Sequence, residues 1–94
     1  MLLKAGVDIS RLCRECRRAL NKIEKAFPDF VVTSTYEGTH SPGSLHYANE
    51  AFDIRITHGR KATEINPDRL KRILQPGFDV LREATHFHIE WDPK

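Results

Sequence analysis

The sequence predicts an α+β fold in which helices cover the apolar face of a small antiparallel sheet. Two observations predict it. Near the N-terminus, Ile9, Leu12, Cys13, Cys16, Leu20, Ile23 and Phe27 recur at three- and four-residue spacing, the period of a helix with one buried face. Further on, two stretches alternate apolar and polar residues, the period of a strand with one buried face. With 94 residues the chain is long enough for one domain, spanning 1–94, and for a modest core.

Taken in order, Asp8 is a good N-cap, and the helix is expected over 9–26, with Arg, Glu and Lys on its outer face. Pro28-Asp29 ends it. Residues 30–35 are apolar and β-branched, which predicts a strand. Residues 36–43 carry Glu, Gly, Thr, His, Ser and Pro and form a loop by composition. Residues 51–57 predict a second strand, with Phe52, Ile54 and Ile56 on one face and Ala51, Asp53 and Arg55 on the other. His58-Gly59-Arg60-Lys61 is a polar turn. A short helix is expected over 63–74, with Asn66-Pro67 as cap and first turn and Leu70, Ile73 and Leu74 buried. Pro76-Gly77 stops it, and 78–81 predicts a short strand. In the last strand, 86–91, Phe87, Ile89 and Trp91 face the core, and His86, His88 and Glu90 face away.

Composition narrows the function. Charged residues make up 30% of the chain, but 15 basic against 13 acidic leave a net charge of only +2. That balance argues against nucleic acid or an anionic membrane as the main partner. The Arg11, Arg14, Arg17 and Arg18 cluster fits a solvated helix face. Residues 1–7 are too short an apolar run for a signal peptide, and no stretch is long enough to span a bilayer, so a cytoplasmic location is expected. The Cys13-x-x-Cys16 pair lacks a second pair to complete a zinc site and lacks a preceding strand for a redox motif. On the apolar face of a helix it reads as two buried free thiols, suited to a reducing compartment.

The outward face carries the chemistry. His86 and His88 share it with Asp53 of another strand, and His46 lies seven positions before Asp53. Two imidazoles and one carboxylate form a three-ligand set that leaves one position open on a zinc ion, the arrangement used for hydrolysis. A lone histidine is more often a hydrogen-bonded surface residue than a ligand, and His58 is read that way. Between His46 and Asp53 the chain must turn at Asn49, a residue that tolerates left-handed backbone.

Ser44-x-His46, Ala51-x-Asp53 and His86-x-His88 resemble the motif of the zinc D-alanyl-D-alanine carboxypeptidases and L-alanyl-D-glutamate endopeptidases, peptidoglycan peptidases of bacteria and phages. The hedgehog signalling domain shares that fold and zinc site, and 44–54 resembles that branch too. The resemblance covers about 31–91 and implies His46, Asp53 and His88 as ligands of one Zn²⁺. Asn49 stands where the family has Gly. Many members carry an acidic residue three positions before the last ligand, and here that position is Thr85. Glu83 is then the expected general base, with Glu90 as the other candidate. His86 is expected near the metal as a hydrogen-bond donor to the reacting carbonyl oxygen. Ser44, His40 and Tyr47 are candidates for contact with substrate, and Glu90 and Arg55 for supporting the ligands. The implied function is hydrolysis of peptidoglycan stem peptides by a phage-encoded or cytoplasmic bacterial protein acting on the cell wall. The alternative is a zinc-containing binding module without catalysis, which Thr85 favours. Neither the bond cut nor the oligomeric state is legible in the sequence.

Overall fold

The computed structural model describes residues 1–35 and 49–93. His40, Ser44, His46 and Tyr47 therefore lie outside the described residues. Among the described residues, six strands and two helices follow in the order β1 (Leu2–Leu3), α1 (Arg14–Ala26), β2 (Phe30–Ser34), β3 (Ala51–His58), β4 (Thr63–Glu64), α2 (Pro67–Leu74), β5 (Phe78–Arg82) and β6 (His86–Trp91). The strands form one sheet in the order β1-β2-β3-β6-β5, with β4 paired to the end of β3. The α+β expectation holds at this level. The sheet is not wholly antiparallel, because the short edge strand β1 runs parallel to β2. Leu2 and Leu3 are exposed there, so no alternation marked them as a strand.

β3 is the central strand, and its alternation sets the two faces. Phe52 and Ile54 are fully buried, as are their cross-strand neighbours Ile89 and Phe87 on β6. Burying side chains of this size contributes about 1.5–3 kcal/mol each. Cys16, Ala19, Leu20 and Ile23 of α1 and Leu70 and Leu74 of α2 join the same core. Both helices thus bury their apolar stripes against one side of the sheet.

The two helices start differently. α2 begins where the sequence indicates: the Asn66 side chain accepts a hydrogen bond from the Arg69 amide at 3.1 Å, and Pro67 occupies the first turn. The helix expected over 63–74 is shortened, because Thr63 and Glu64 pair with His58 and Thr57 instead. Proline at 67 also disfavours helical backbone at the residue before it. α1 starts at Arg14 rather than Ile9, and its N-cap is Cys13, not Asp8. The physical reason is competition for the Asp8 groups. Its carboxylate accepts from the Ser10 amide at 2.8 Å, and its carbonyl accepts from the Thr35 hydroxyl at 3.0 Å. The Cys13 amide meanwhile donates to the Asn49 carbonyl at 2.9 Å, which fixes the chain outside helical geometry at that point. Among the described residues no helix is long and apolar enough to cross a membrane.

Candidate metal centre

The outward face of the β3–β6 ladder gathers the titratable side chains. Directly opposed residues share a face in an antiparallel pair. The register sets Asp53 against His88, Arg55 against His86 and Ala51 against Glu90. Alternation does the rest: whatever buries Phe52 and Ile54 turns Asp53 outward, and whatever buries Phe87 and Ile89 turns His86, His88 and Glu90 outward. β5 adds Leu81 opposite His88 and Asp79 opposite Glu90.

His88 is the hub. Its Nδ1 lies 2.8 Å from Asp53 Oδ1, and its Nε2 hydrogen-bonds Glu90 Oε1. The imidazole is therefore held between two carboxylates while only 16% of the side chain is exposed. The bond to Asp53 favours its charged form, burial opposes it, and the bond to Glu90 favours it again. The balance raises the His88 pKa to about 9. His86 is placed more loosely. Its Nε2 lies 3.7 Å from Asp53 Oδ2, and its Nδ1 lies 3.3 Å from the Thr85 hydroxyl. Asp53 thus addresses one imidazole with each oxygen.

The backbone around Asn49 supports this arrangement. Asn49 adopts φ 60°, the left-handed conformation that asparagine tolerates better than most residues. From there the Asn49 carbonyl reaches the start of α1 and the Glu50 carbonyl accepts from the Trp91 amide at 2.7 Å, tying the entry of β3 to the end of β6.

Glu83 stands at the far end of the β5–β6 hairpin, where its amide donates to the His86 carbonyl at 2.8 Å. This bond extends the ladder by one pair, so Glu83 falls opposite His86 and on the same face as His88. Glu83 is exposed, and among the described residues its carboxylate bonds neither histidine. Glu90, by contrast, is hydrogen-bonded to His88. Arg55 lines a groove of about 390 Å³ that continues along the same face, with Thr57, His58 and Arg60. His58 is a hydrogen-bonded residue, as expected: its Nδ1 lies 2.9 Å from the Pro28 carbonyl, and its ring meets Phe27 edge-on.

Two contributions to this face escaped the sequence reading. In the sequence Thr85 is marked only by the acid that it lacks, yet its hydroxyl is the partner of the His86 ring. Asp79 and Leu81 belong to the face by β5 register, and the alternation of Phe78 and Val80 with Asp79 and Leu81 was the signal that could have found them.

Whether zinc fits can be tested on the donors. Among the described residues no three His, Cys, Asp or Glu side chains form a metal-holding group. Of the three residues implied as ligands, only Asp53 and His88 are described. Two donors at about 2.1 Å from one tetrahedral ion lie roughly 3.4 Å apart. The observed Asp53–His88 separation of 2.8 Å is that of donors sharing a proton, and a widening of about half an ångström accommodates a shared cation. A carboxylate and an imidazole are donor types that zinc accepts. No protein-family model, no curated protein and no solved structure matches the chain.

Proposed function

We propose that this chain is a zinc-dependent peptidase acting on peptidoglycan stem peptides, on a scaffold like that of the carboxypeptidase, endopeptidase and hedgehog group. The observation that carries this reading is the Asp53–His88 pair, 2.8 Å apart on the outward face of the central ladder, with His86 3.7 Å from the other Asp53 oxygen. The reading rests equally on the Ser44-x-His46 motif upstream.

His46, Asp53 and His88 would hold the ion. Zinc, when bound, supplies Lewis acidity toward a peptide carbonyl. The remaining work falls to the chain's own side chains. Glu90 keeps the His88 ring oriented by its hydrogen bond to Nε2. His86, steadied by Thr85, presents a ring that can donate to the oxygen of the scissile carbonyl as negative charge grows there. Glu83, at the hairpin end of the same face, is the carboxylate that accepts a proton and returns it to the leaving amine. An extended peptide laid along β3 finds its next contacts in the groove lined by Arg55, Thr57 and Arg60.

The test is metal content together with turnover. Purified protein should carry one zinc per chain and cleave a purified muropeptide, with cleavage lost on chelation and restored by zinc. The His46→Ala protein should lose the metal; equal zinc in both proteins removes the basis of the proposal. A second reading, a zinc-containing binding module, is favoured by Thr85 at the family's acidic position and by the exposed Glu83. One equivalent of zinc with no cleavage of any stem peptide would select it. Undiminished turnover in Glu83→Gln would eliminate Glu83 as the base.

A further inference from the structure

The Cys13-x-x-Cys16 pair takes no part in the polar face, and the structure puts it in a different setting from the one its spacing suggests. Cys13 does not lie within a helix. It is the N-cap of α1, with extended backbone at φ −60° and ψ 160°, while Cys16 sits in the first turn. The two thiols are unequal. Cys16 is completely buried, and Cys13 is only partly so. Burial, followed by the influence of the neighbouring Cys13 side chain, pushes the Cys16 thiol pKa far up. Cys16 thus remains a protonated thiol in the folded protein. The Cys13 amide is itself anchored on the Asn49 carbonyl at 2.9 Å, which fixes the backbone from which the thiol projects.

Side chains three apart inside a helix have Cβ atoms about 5–6 Å apart, too far for a disulfide, which needs about 3.5–4.5 Å. Placing one member at the cap removes that restriction, because its dihedrals are not those of the helix. We propose that Cys13 and Cys16 form a dithiol–disulfide couple that exchanges with low-molecular-weight disulfides, Cys13 being the entering thiol and Cys16 the resolving one.

The exchange balances without further reagents. The Cys13 thiolate attacks one sulfur of the small disulfide; that S–S bond breaks, and one small thiolate leaves and takes a proton from solvent. Cys16 then gives up its proton and attacks the Cys13 sulfur of the mixed disulfide. The second small thiolate departs with a proton. Two protein thiols are oxidised to one disulfide, and one small disulfide is reduced to two thiols. This couple is independent of the metal centre and of the peptidase reading.

The full chain, equilibrated with mixtures of oxidised and reduced glutathione and quenched by alkylation, tests it. The wild-type protein should lose both thiols together, with a mass lower by two hydrogens and no lasting glutathione adduct. Cys16→Ser should trap glutathione on Cys13, and Cys13→Ser should leave Cys16 unmodified while the protein is folded. If burial of serine unfolds the first variant, as circular dichroism would reveal, Cys16→Ala serves in its place with the same expectation. Retention of both thiols at every ratio, or a stable adduct on wild-type Cys13, overturns the proposal. So does equal modification of the two single variants.

Discussion

His86 and His88 lie two positions apart on one strand and one face, yet the structure treats them differently. His88 is opposite Asp53 in register and is held at both ring nitrogens by carboxylates. His86, opposite Arg55, is twice as exposed at 32%, and a hydroxyl is the partner at its Nδ1. The same side chain is therefore clamped between two carboxylates in one place and more loosely held in the other. What separates them is the ladder partner, not the residue type.

Exchanging each histidine for alanine is the severest test of that contrast. His88→Ala should abolish zinc uptake and turnover. It should also destabilise the metal-free protein by about 1–3 kcal/mol in urea denaturation, since Asp53 and Glu90 lose the cation between them. His86→Ala should keep its zinc and lose less than about 0.5 kcal/mol of stability, while turnover falls roughly 10²–10³-fold. Equal zinc loss in the two variants would erase the distinction.

Next in size is the pH response of the metal-free protein. The folded-state pKa of His88 is raised to about 9 from 6.5. Its stabilising contribution is therefore fully present below about pH 6.5 and is lost as pH rises through about 9. The loss should be on the order of 1–2 kcal/mol once solvent screening of a partly exposed group is allowed for. Urea denaturation of wild type and His88→Gln between pH 6 and 10, a range chosen to bracket the titration, should show the slope in the first and not in the second.

A smaller effect is expected at Glu90. Glu90→Gln removes one of the two carboxylates that raise the His88 pKa, so the ring titration followed by NMR should move down while remaining above 6.5, because the stronger of the two contacts, with Asp53, persists. Smallest of all is Thr85→Val. It should leave zinc content and stability within about 0.5 kcal/mol of wild type and lower turnover by only a few-fold, through a less well-placed His86. A Thr85→Ser variant that restores the rate would identify the hydroxyl, rather than the side-chain volume, as the positioning group.

The period-two pattern made the most important part of the face readable. Once Phe52 and Ile54, and Phe87 and Ile89, are assigned inward, Asp53 and the two histidines have nowhere to go but out. The α2 cap was readable for a similar reason: Asn66 and Pro67 act on their own immediate neighbours, and the shortened helix keeps that cap. The α1 start was not readable, because it is decided by groups distant in sequence. Thr35 takes the Asp8 carbonyl and Asn49 takes the Cys13 amide, and no local pattern announces either. The partners of His88 were only half visible. Its pairing with Asp53 depends on the register between two strands, and register is set by the whole core rather than by the two residues concerned. Thr85 stayed hidden because its effect depends on which way one hydroxyl points.

The alternation of β3 also bears on how such a domain can change over generations. Phe52 and Ile54 hold the strand in register from one side, and Asp53 and Arg55 ride on the other. Substitutions on the outward side leave the packing that fixes their positions untouched. A lineage could therefore trade one ligand, donor or groove residue for another while inheriting the same frame. A change at Phe52 or Ile54 has no such freedom, since a slip of one residue would exchange the two sides at once.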